Sequence, residues 1–432
     1  MQAHRFRIAT LAAALTGVAV RIFYVLTAVR DRIELGGDAR TYHLLGKALA
    51  DGRGYIRATE FFADGNVVPT AEFPPAYPAL LAVLDVVGLD GPLDQRLAGA
   101  LLGGVTVVVI GLLGEAVAGR TVGVVAAWIA ALYPQLVVFD GSLLSEGPYA
   151  LLIATALLAV LQARRADDPQ RWRWWALASL AIGIAVMTRS EAFLLLPLLV
   201  IPASRVRDDP RAWARTAVVA ATGTLVLVGA WTIRNAVTLG HFLPLTNNSG
   251  TLIAGANCDR VYDGVQIGGW RLDCVTSVLP AGLDETEAAA ELRSIGLDYA
   301  FDHAGQVPEV MAVRVARTFG LWDIRSNLFF EGLEGRDYDW LWAAWYAWLA
   351  IAAFAIGGIV ARRRAGCEVW PLLVPVAIAA VTSVFSYGNQ RFRMIAEPGL
   401  VVLAAIGVVA VAGWVAARRA PVDQTQAPAG SS

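Results

Sequence analysis

The chain has 432 residues, of which 57% are hydrophobic, and its formal net charge at pH 7 is −1. A soluble domain of this length is not so apolar, so the composition indicates an integral membrane protein. The arginines lie in short runs beside apolar segments, with no basic patch interleaved with aromatic residues elsewhere, which argues against a nucleic-acid-binding protein.

The first apolar run covers residues 8–29, after Arg5 and Arg7, and ends in Arg30-Asp31-Arg32. It is long enough to cross a bilayer, which takes about 20 residues. A signal peptide has a shorter apolar core and a small-residue cleavage site. We therefore predict an uncleaved first transmembrane helix.

Nine further apolar runs bring the predicted number of transmembrane helices to ten. They cover about residues 94–118, 121–140, 143–163, 174–189, 191–204, 214–236, 339–361, 369–387 and 394–417. With ten spans the arginine clusters fall on one side, which the positive-inside rule assigns to the cytoplasm together with both termini. The scheme requires that segment 75–88 does not cross, and its short length and Asp85 favour an interfacial helix.

The predicted spans divide the chain into four parts. Residues 1–236 form a transmembrane module with a first outer loop at 30–93, residues 237–338 form a second outer loop, residues 339–417 form the C-terminal helices, and residues 418–432 form a disordered cytoplasmic tail. The second loop contains a predicted amphipathic helix at 284–303. Cys258 and Cys274 lie in the same loop, where a disulfide is chemically allowed outside the cytoplasm, with two free thiols as the alternative.

Two acidic residues lie at predicted outer helix ends. Asp38 follows two glycines, and a carboxylate held there can act as a general base or a metal ligand. The alternative is that Asp38 caps a helix at 39–50. Glu146 lies one turn inside the fourth span, where an ionisable side chain is costly unless it faces a polar cavity. Its alternative is a favourable charge in the first helical turn, with Ser142 or Ser145 as the cap.

Several basic residues also lie at predicted outer helix ends, where positive charge is uncommon. They are Arg189, Arg234, Arg391 and Arg393. Arginine holds phosphate through forked hydrogen bonds, so the group indicates an anionic ligand. The alternative is local pairing of Arg189 with Glu191 and of Arg393 with Glu397.

Taken in order, these motifs resemble those of the GT-C superfamily of membrane glycosyltransferases, especially the branch containing protein O-mannosyltransferases and the lipid A aminoarabinose transferase. The motifs are Asp38 with Tyr42, Gly52-Arg53-Gly54-Tyr55, Pro74-Pro75-Ala76-Tyr77-Pro78, Ser145-Glu146, Met187-Thr188-Arg189, Trp231 with Arg234-Asn235, Arg391-Phe392-Arg393 and Glu397-Pro398. The resemblance implies an all-α membrane fold of about ten transmembrane helices. It also implies interfacial helices in the first outer loop and a helical second outer loop.

The resemblance implies a reaction as well: a sugar moves with inversion from a polyprenyl phosphate carrier to an acceptor on the outer face of the cytoplasmic membrane. Asp38 matches the position of the general base, and Glu72 and Glu146 match acidic positions that orient the acceptor or a metal. The carrier phosphate would be held by Arg391 or Arg393, with Arg189, Arg234 and Asn235 as further candidates. Tyr42, Tyr55 and Tyr77 would line the donor or acceptor cavity. No cofactor is required by the resemblance, which leaves a divalent cation open.

The motifs specify neither the sugar nor the acceptor, which the resemblance leaves open among a cell-wall glycan, a lipid and a protein. Relatives that modify proteins often carry large extra outer domains, whereas the second outer loop here is confined to residues 237–338. Trp270 and Trp322 of this loop can stack on a sugar face, and the alternative for both is a place in the aromatic belt of the membrane interface.

The competing hypothesis is a transporter or flippase of a lipid-linked sugar. It predicts charged residues at mid-membrane depth and a pair of broken helices related by an internal repeat. The acidic and basic candidates collect instead at the outer ends of the predicted helices, and the sequence shows no inverted repeat.

Overall fold

The computed structural model describes residues 2–32, 34–167, 169–205, 209–279 and 282–419. Within these ranges the chain is helical, and its single extended pairing is an isolated antiparallel bridge between Ile56 and Pro69. The all-α prediction is therefore confirmed. The predicted disordered tail falls mostly on residues 420–432, which lie outside the described residues.

The described helices follow one another along the chain without intervening strands in the described ranges. The α-helices are α1 (Gln2–Ala28), α2 (Gly37–Ala50), α3 (Ala58–Asp64), α4 (Ala76–Val86), α5 (Pro92–Ala118), α6 (Arg120–Leu132), α7 (Pro134–Asp140), α8 (Glu146–Ala163), α9 (Gln170–Val186), α10 (Ile201–Ala203), α11 (Pro210–Leu239), α12 (Ser249–Ala256), α13 (Asp259–Tyr262), α14 (Leu272–Thr276), α15 (Glu285–Asp302), α16 (Val307–Thr318), α17 (Ile324–Leu333), α18 (Tyr338–Arg364), α19 (Trp370–Phe385) and α20 (Glu397–Arg419). Short 3-10 helices cover Ser190–Leu194, Gly264–Gln266 and Gln390–Ile395, and a π-helical turn covers Leu196–Val200.

Among the described residues six helices are long and apolar enough to cross a membrane, namely α1, α5, α8, α11, α18 and α20. A seventh span arises if α6 and α7, which meet at an angle of 57°, count as one broken helix. The remaining three predicted spans correspond to α9, to the helical stretch Ser190–Ala203 and to α19, all shorter. The chain is thus a multi-pass membrane protein, and the number ten stays a prediction.

The spans pack closely where side chains are small. A Cβ atom at Gly358 of α18 would clash with the carbonyl oxygen of Leu403, and one at Gly407 of α20 would clash with that of Phe354. Only glycine fits at such a helix crossing, and small residues are the usual means by which membrane helices approach each other. Large apolar side chains lie on the outside of the helix bundle, and Ile233 on α11 is one exposed example.

The first outer loop contains the short helices α2, α3 and α4. Helix α4 has 11 residues, so at 1.5 Å per residue its length is about 16 Å, roughly half of the hydrocarbon thickness. It packs along α2 and leaves Val83 and Val86 exposed. A helix of this length cannot cross a bilayer, which agrees with the predicted interfacial position of segment 75–88.

The segment predicted to form the second outer loop, residues 237–338, contains α12 to α17. Its longest helix, α15, occupies the predicted segment 284–303 and begins with a capping box formed by Asp284 and Glu287. The predicted disulfide between Cys258 and Cys274 is confirmed and closes a sequence separation of 16 residues. This cross-link holds α13 and α14 together beside the site described below.

The predicted cytoplasmic arginines meet at one end of the bundle. Arg164, just past the C-terminus of α8, pairs with Glu368 at 2.7 Å, and Arg362 of α18 donates to the carbonyl oxygen of Val117 at 2.9 Å. Glu146 begins α8 at its other end. The basic runs and the predicted acidic site therefore lie at opposite ends of the same helices.

Candidate active site

A single arginine joins the two ends of the chain at the predicted outer side. Arg391 lies in the 3-10 helix between α19 and α20, where its backbone N–H donates to the Asn389 side chain. Its Nη1 lies 2.8 Å from Asp38 Oδ2 and 3.6 Å from Glu334 Oε2, and its Nε donates to Glu146 Oε1. The Arg391 side chain is only 6% exposed. It is therefore held by three carboxylates from three separate parts of the chain.

Glu146 connects this arginine to a second one. Its Oε1 also accepts from Arg189 Nη1 at 2.6 Å, and Arg189 Nε donates to Glu191 Oε1 at 2.6 Å. Glu146 is fully buried, and its Oε2 has no hydrogen-bond partner among the described residues. The expected local pair of Arg189 and Glu191 exists, but Arg189 also takes part in the buried network around Glu146.

Helix capping does not account for Asp38, and for Glu146 it describes the position in the helix but not the ion pairs. Asp38 is the second residue of α2, which begins at Gly37 rather than at residue 39, and Gly36 is its cap residue. Ser145 precedes Glu146 at the start of α8, and neither helix start has a side-chain cap hydrogen bond. Both carboxylates pair with arginines. The capping alternative is wrong for Asp38, whereas Ser145 is the cap residue of α8 and Glu146 lies in its first turn, as the alternative for Glu146 expected.

Asp38, Arg189 and Arg391 line a cavity of about 360 Å³. Its wall also contains Tyr42 and the apolar side chain of Phe392. The cavity wall thus combines charged side chains with apolar surface, and a lipid-linked anion requires both.

Of the three predicted cavity tyrosines, the structure places one in the wall. The Tyr42 ring contacts that of Tyr77 at a centroid distance of 5.0 Å, so Tyr77 supports Tyr42 from behind. Tyr55 is farther away: its hydroxyl donates to the carbonyl oxygen of Phe73 at 2.8 Å, and its ring packs edge-on against Trp231 at 5.0 Å. Tyr55 and Tyr77 are corrected to supports of the first outer loop.

Arg234 and Asn235 hold loops rather than line the cavity. Arg234 donates to the carbonyl oxygens of Thr70 at 2.7 Å and Tyr55 at 2.9 Å, both in the first outer loop. Asn235 donates to the carbonyl oxygen of Leu243 at 3.1 Å, which fixes the start of the second outer loop. These donors are thereby used within the protein, and neither residue lines the 360 Å³ cavity.

Arg393 is also placed away from the cavity. Its Nε donates to Glu397 Oε1 at 2.6 Å, Tyr133 donates to the same oxygen at 3.3 Å, and the guanidinium lies 3.9 Å from the ring centroid of Trp348. Arg393 and Glu397 are both fully buried. The local pairing alternative is therefore the right one for Arg393, and Arg391 is the better phosphate candidate of the two.

Glu72 lies in the first outer loop, close enough to Asp38 for the two carboxylates to affect each other. Desolvation by the packed loop, together with the charges of Glu285 and Asp38, raises the pKa of Glu72 to about 7. The Glu72 side chain is nevertheless exposed to solvent. Its charge therefore changes near neutral pH beside the cavity.

The sequence did not single out two features of this site. Glu334, from the turn after α17, contacts both Arg391 and the fully buried Arg336, and its acidic-basic segment 331–336 is the only signal that the sequence offers. Arg21, in the middle of α1, pairs with Asp140 at 2.7 Å with both side chains buried. A lone arginine inside an apolar span is a sign of such a partner.

The arrangement of the carboxylates bears on whether a divalent cation can bind at this site. The described residues contain no group of three or more His, Cys, Asp or Glu side chains placed to hold a metal. Asp38, Glu146 and Glu334 converge on the Arg391 guanidinium, which thus occupies the centre that a cation would need. These residues, as arranged, do not fit a metal ion.

Comparison with known proteins identifies the fold. The family model described as dolichyl-phosphate-mannose-protein mannosyltransferase matches residues 72–233. The oligosaccharyltransferase AglB of Archaeoglobus fulgidus, solved with an inhibitory peptide and a dolichol-phosphate, is 14% identical and has a TM-score of 0.56 over 100% of this chain and 53% of its own. The predicted resemblance to the GT-C membrane glycosyltransferases is confirmed. No curated protein sequence matches the chain.

Two further GT-C structures are similar. The same archaeal enzyme tethered to an acceptor peptide has a TM-score of 0.57 at 14% identity, over 97% of this chain and 51% of that one. ArnT of Cupriavidus metallidurans, solved with undecaprenyl phosphate, is 13% identical. The alignment covers 96% of this chain and 81% of ArnT, with a TM-score of 0.45. The chain described here thus spans about half the length of the archaeal enzyme.

Proposed function

We propose that this protein is an inverting glycosyltransferase that moves a sugar from a polyprenyl phosphate carrier to an acceptor on the outer face of the cytoplasmic membrane. The observation that carries the proposal is the cluster of Asp38, Glu146, Arg189 and Arg391 at one cavity of a GT-C fold. Residues 1–236 and 339–417 supply the cluster. The outer loop at 237–338 covers it, and both chain termini are cytoplasmic.

The carrier phosphate binds at Arg391 and Arg189 in this proposal. Both guanidinium groups line the 360 Å³ cavity, whose apolar wall suits the first isoprene units. Arginine holds phosphate by paired hydrogen bonds and neutralises the charge that develops as the carrier phosphate leaves. The dolichol-phosphate bound in the archaeal neighbour supports this class of donor.

The charge balance of the site determines how a phosphate can enter. Three arginines contact five carboxylates: Arg189, Arg336 and Arg391 with Asp38, Glu146, Glu191, Glu331 and Glu334. An added anion is repelled unless a carboxylate gives up its arginine. Glu146 is fully buried, whereas Asp38 and Glu334 are 36% and 34% exposed. Asp38 is the better placed of these two, because it lines the 360 Å³ cavity and Glu334 does not. The donor phosphate therefore replaces Asp38 at Arg391 Nη1.

This exchange releases Asp38 to act as the general base. The Asp38 carboxylate takes the proton of the acceptor hydroxyl while that oxygen forms a bond to the anomeric carbon of the sugar. The bond from this carbon to the phosphate oxygen breaks, its electron pair stays on the carrier phosphate, and Arg391 and Arg189 hold the resulting charge. Attack opposite the leaving group inverts the anomeric configuration. Glu146 keeps both arginines in place throughout.

The test is transfer by the purified protein in nanodiscs, with a panel of synthetic polyprenyl phosphate sugars and a mixture of glycan, lipid and peptide acceptors. We expect release of polyprenyl phosphate from one donor and a product whose anomeric configuration, measured by NMR, is opposite to that of the donor. Retention of configuration would contradict the single-displacement mechanism. Movement of a lipid-linked sugar between leaflets without any release of carrier phosphate would favour the transporter instead.

A further inference from the structure

A second and larger cavity adjoins the proposed catalytic site. Its volume is about 580 Å³, within the range of roughly 300–1,000 Å³ typical of small-molecule sites. Gly37, directly before Asp38, and Glu334, which contacts Arg391, form part of its wall. Tyr387 lines both cavities. The larger cavity thus borders the residue next to Asp38 and shares Tyr387 with the smaller one.

The wall of this cavity combines fixed aromatic surface with hydrogen-bond acceptors. The indole of Trp270 donates to the Thr251 carbonyl oxygen at 3.1 Å and lies so close to Gly255 that a Cβ atom there would clash with the ring. Its ring centroid is 6.3 Å from that of Tyr387. Two aromatic faces are therefore held in place before any ligand arrives, at no cost in side-chain ordering on binding.

One buried acceptor in this wall has no partner. Glu331 lines the cavity and is 3% exposed, and its Oε1 makes no hydrogen bond among the described residues, whereas its Oε2 accepts from Arg336 at 3.2 Å. A buried carboxylate oxygen without a donor is costly. A ligand that brings a hydroxyl or N–H group satisfies it.

The cations of the same wall are already used within the protein. Arg271 Nε and Nη2 donate to Asp273 at 2.9 and 3.0 Å. Arg317 Nε donates to the Ile267 carbonyl oxygen at 2.6 Å, and its other nitrogens donate to Asn327 and to a backbone carbonyl. Among the described residues most donors of these two arginines are thus occupied, which favours a neutral ligand rich in hydroxyl donors over an anionic one.

We infer that this cavity binds the acceptor and that the acceptor is a neutral carbohydrate, with a sugar ring against Trp270 and Tyr387 and a hydroxyl directed toward Glu331. Aromatic faces suit the C–H faces of sugar rings. The inference rests on the proposed function in so far as the bound carbohydrate is the acceptor of the transferred sugar.

The first test measures binding without any donor. The protein in nanodiscs is titrated with neutral oligosaccharides of mannose, glucose, galactose and arabinose and with Ser- and Thr-containing peptides, and binding is followed by calorimetry and saturation-transfer NMR. We expect one oligosaccharide class to bind, and Trp270→Leu to weaken it about 3- to 10-fold. The control is Trp322→Leu, since Trp322 is an exposed tryptophan of the same loop outside this cavity wall.

A second pair of variants guards against a folding effect of the Trp270 substitution. Thr276 is exposed and lines the cavity, whereas the next residue, Ser277, does not. Thr276→Trp fills the cavity and is expected to abolish oligosaccharide binding, and Ser277→Trp to leave it unchanged. Oligosaccharide binding that is absent, or that survives both Trp270→Leu and Thr276→Trp, overturns the inference.

Transfer assays then separate this inference from the proposed function. Sugar transfer to a peptide or a lipid, with no transfer to any oligosaccharide, overturns the carbohydrate acceptor and leaves the glycosyltransferase intact. Oligosaccharide binding that depends on Trp270 in a protein that turns over no polyprenyl phosphate sugar supports the binding site and rejects the proposed function.

Discussion

Replacing Asp38 by asparagine separates the chemistry of this site from its stability. Asparagine keeps the shape of the side chain but cannot take a proton from the acceptor hydroxyl. Loss of a positioned general base costs roughly 10²–10⁴ in rate, which corresponds to about 2.7–5.4 kcal/mol of activation free energy at 1.36 kcal/mol per factor of ten. We expect turnover of Asp38→Asn to fall within this range.

The free energy of unfolding should change much less. The Asp38 side chain is 36% exposed, and ion pairs with such solvent access contribute only about 0–1 kcal/mol. Arg391 keeps its contacts with Glu146 and Glu334 in the variant. The expected result is a large loss of activity with a nearly unchanged melting temperature.

The assay follows release of polyprenyl phosphate under single-turnover conditions, with the melting temperature measured in the same detergent. Asp51→Asn is the matched control, because Asp51 is an exposed aspartate at the other end of α2. Turnover of Asp38→Asn within about threefold of wild type would refute Asp38 as the base. An equal loss in Asp51→Asn would assign the effect to α2 as a whole.

Three further outcomes follow from the same contacts. Arg391→Lys should lower turnover by about 10²–10³. One ammonium group cannot replace both the Nε contact to Glu146 and the Nη1 contact to the incoming phosphate. Steady-state rates over a donor titration check this. Wild-type KM for the anionic donor should rise between pH 6 and 8 as Glu72, with its pKa near 7, becomes charged beside the cavity, and Glu72→Gln should give a flat profile. Asp140→Asn should destabilise the protein by about 3–5 kcal/mol because it leaves Arg21 buried without a counter-charge, whereas the double variant Arg21→Met/Asp140→Leu should recover most of that loss in a denaturation series.

The helical organisation of this protein was accessible from the sequence because it depends on local patterns. The lengths of the apolar runs predict α1, α5, α8, α11, α18 and α20 directly. The polar periodicity at 284–303 predicts α15, whose capping box is visible as an aspartate followed three residues later by a glutamate. The broken pair α6 and α7 was less accessible, since nothing before Pro134 indicates a bend of 57°.

The candidate site was accessible only in part, because its contacts connect distant segments. Asp38, Glu146 and Arg391 were singled out by their place at helix ends, and the structure brings them together. Arg234 was singled out on the same grounds, yet its guanidinium serves two loop carbonyls. A helix-end position does not reveal whether a side chain turns toward a cavity or toward a neighbouring loop, since that depends on how the loop returns.

Charge compensation was the least predictable property of the site. Read along the sequence, the outer arginines suggest a positive pocket that awaits a phosphate. In the folded chain Glu334, which no motif includes, reaches Arg391 and shares Arg336 with Glu331. Carboxylates therefore outnumber arginines, and a phosphate can enter only by exchange with one of them. In the proposed mechanism that requirement couples donor binding to the release of Asp38, so the proposed base would be freed for the acceptor only when the sugar is present to be attacked.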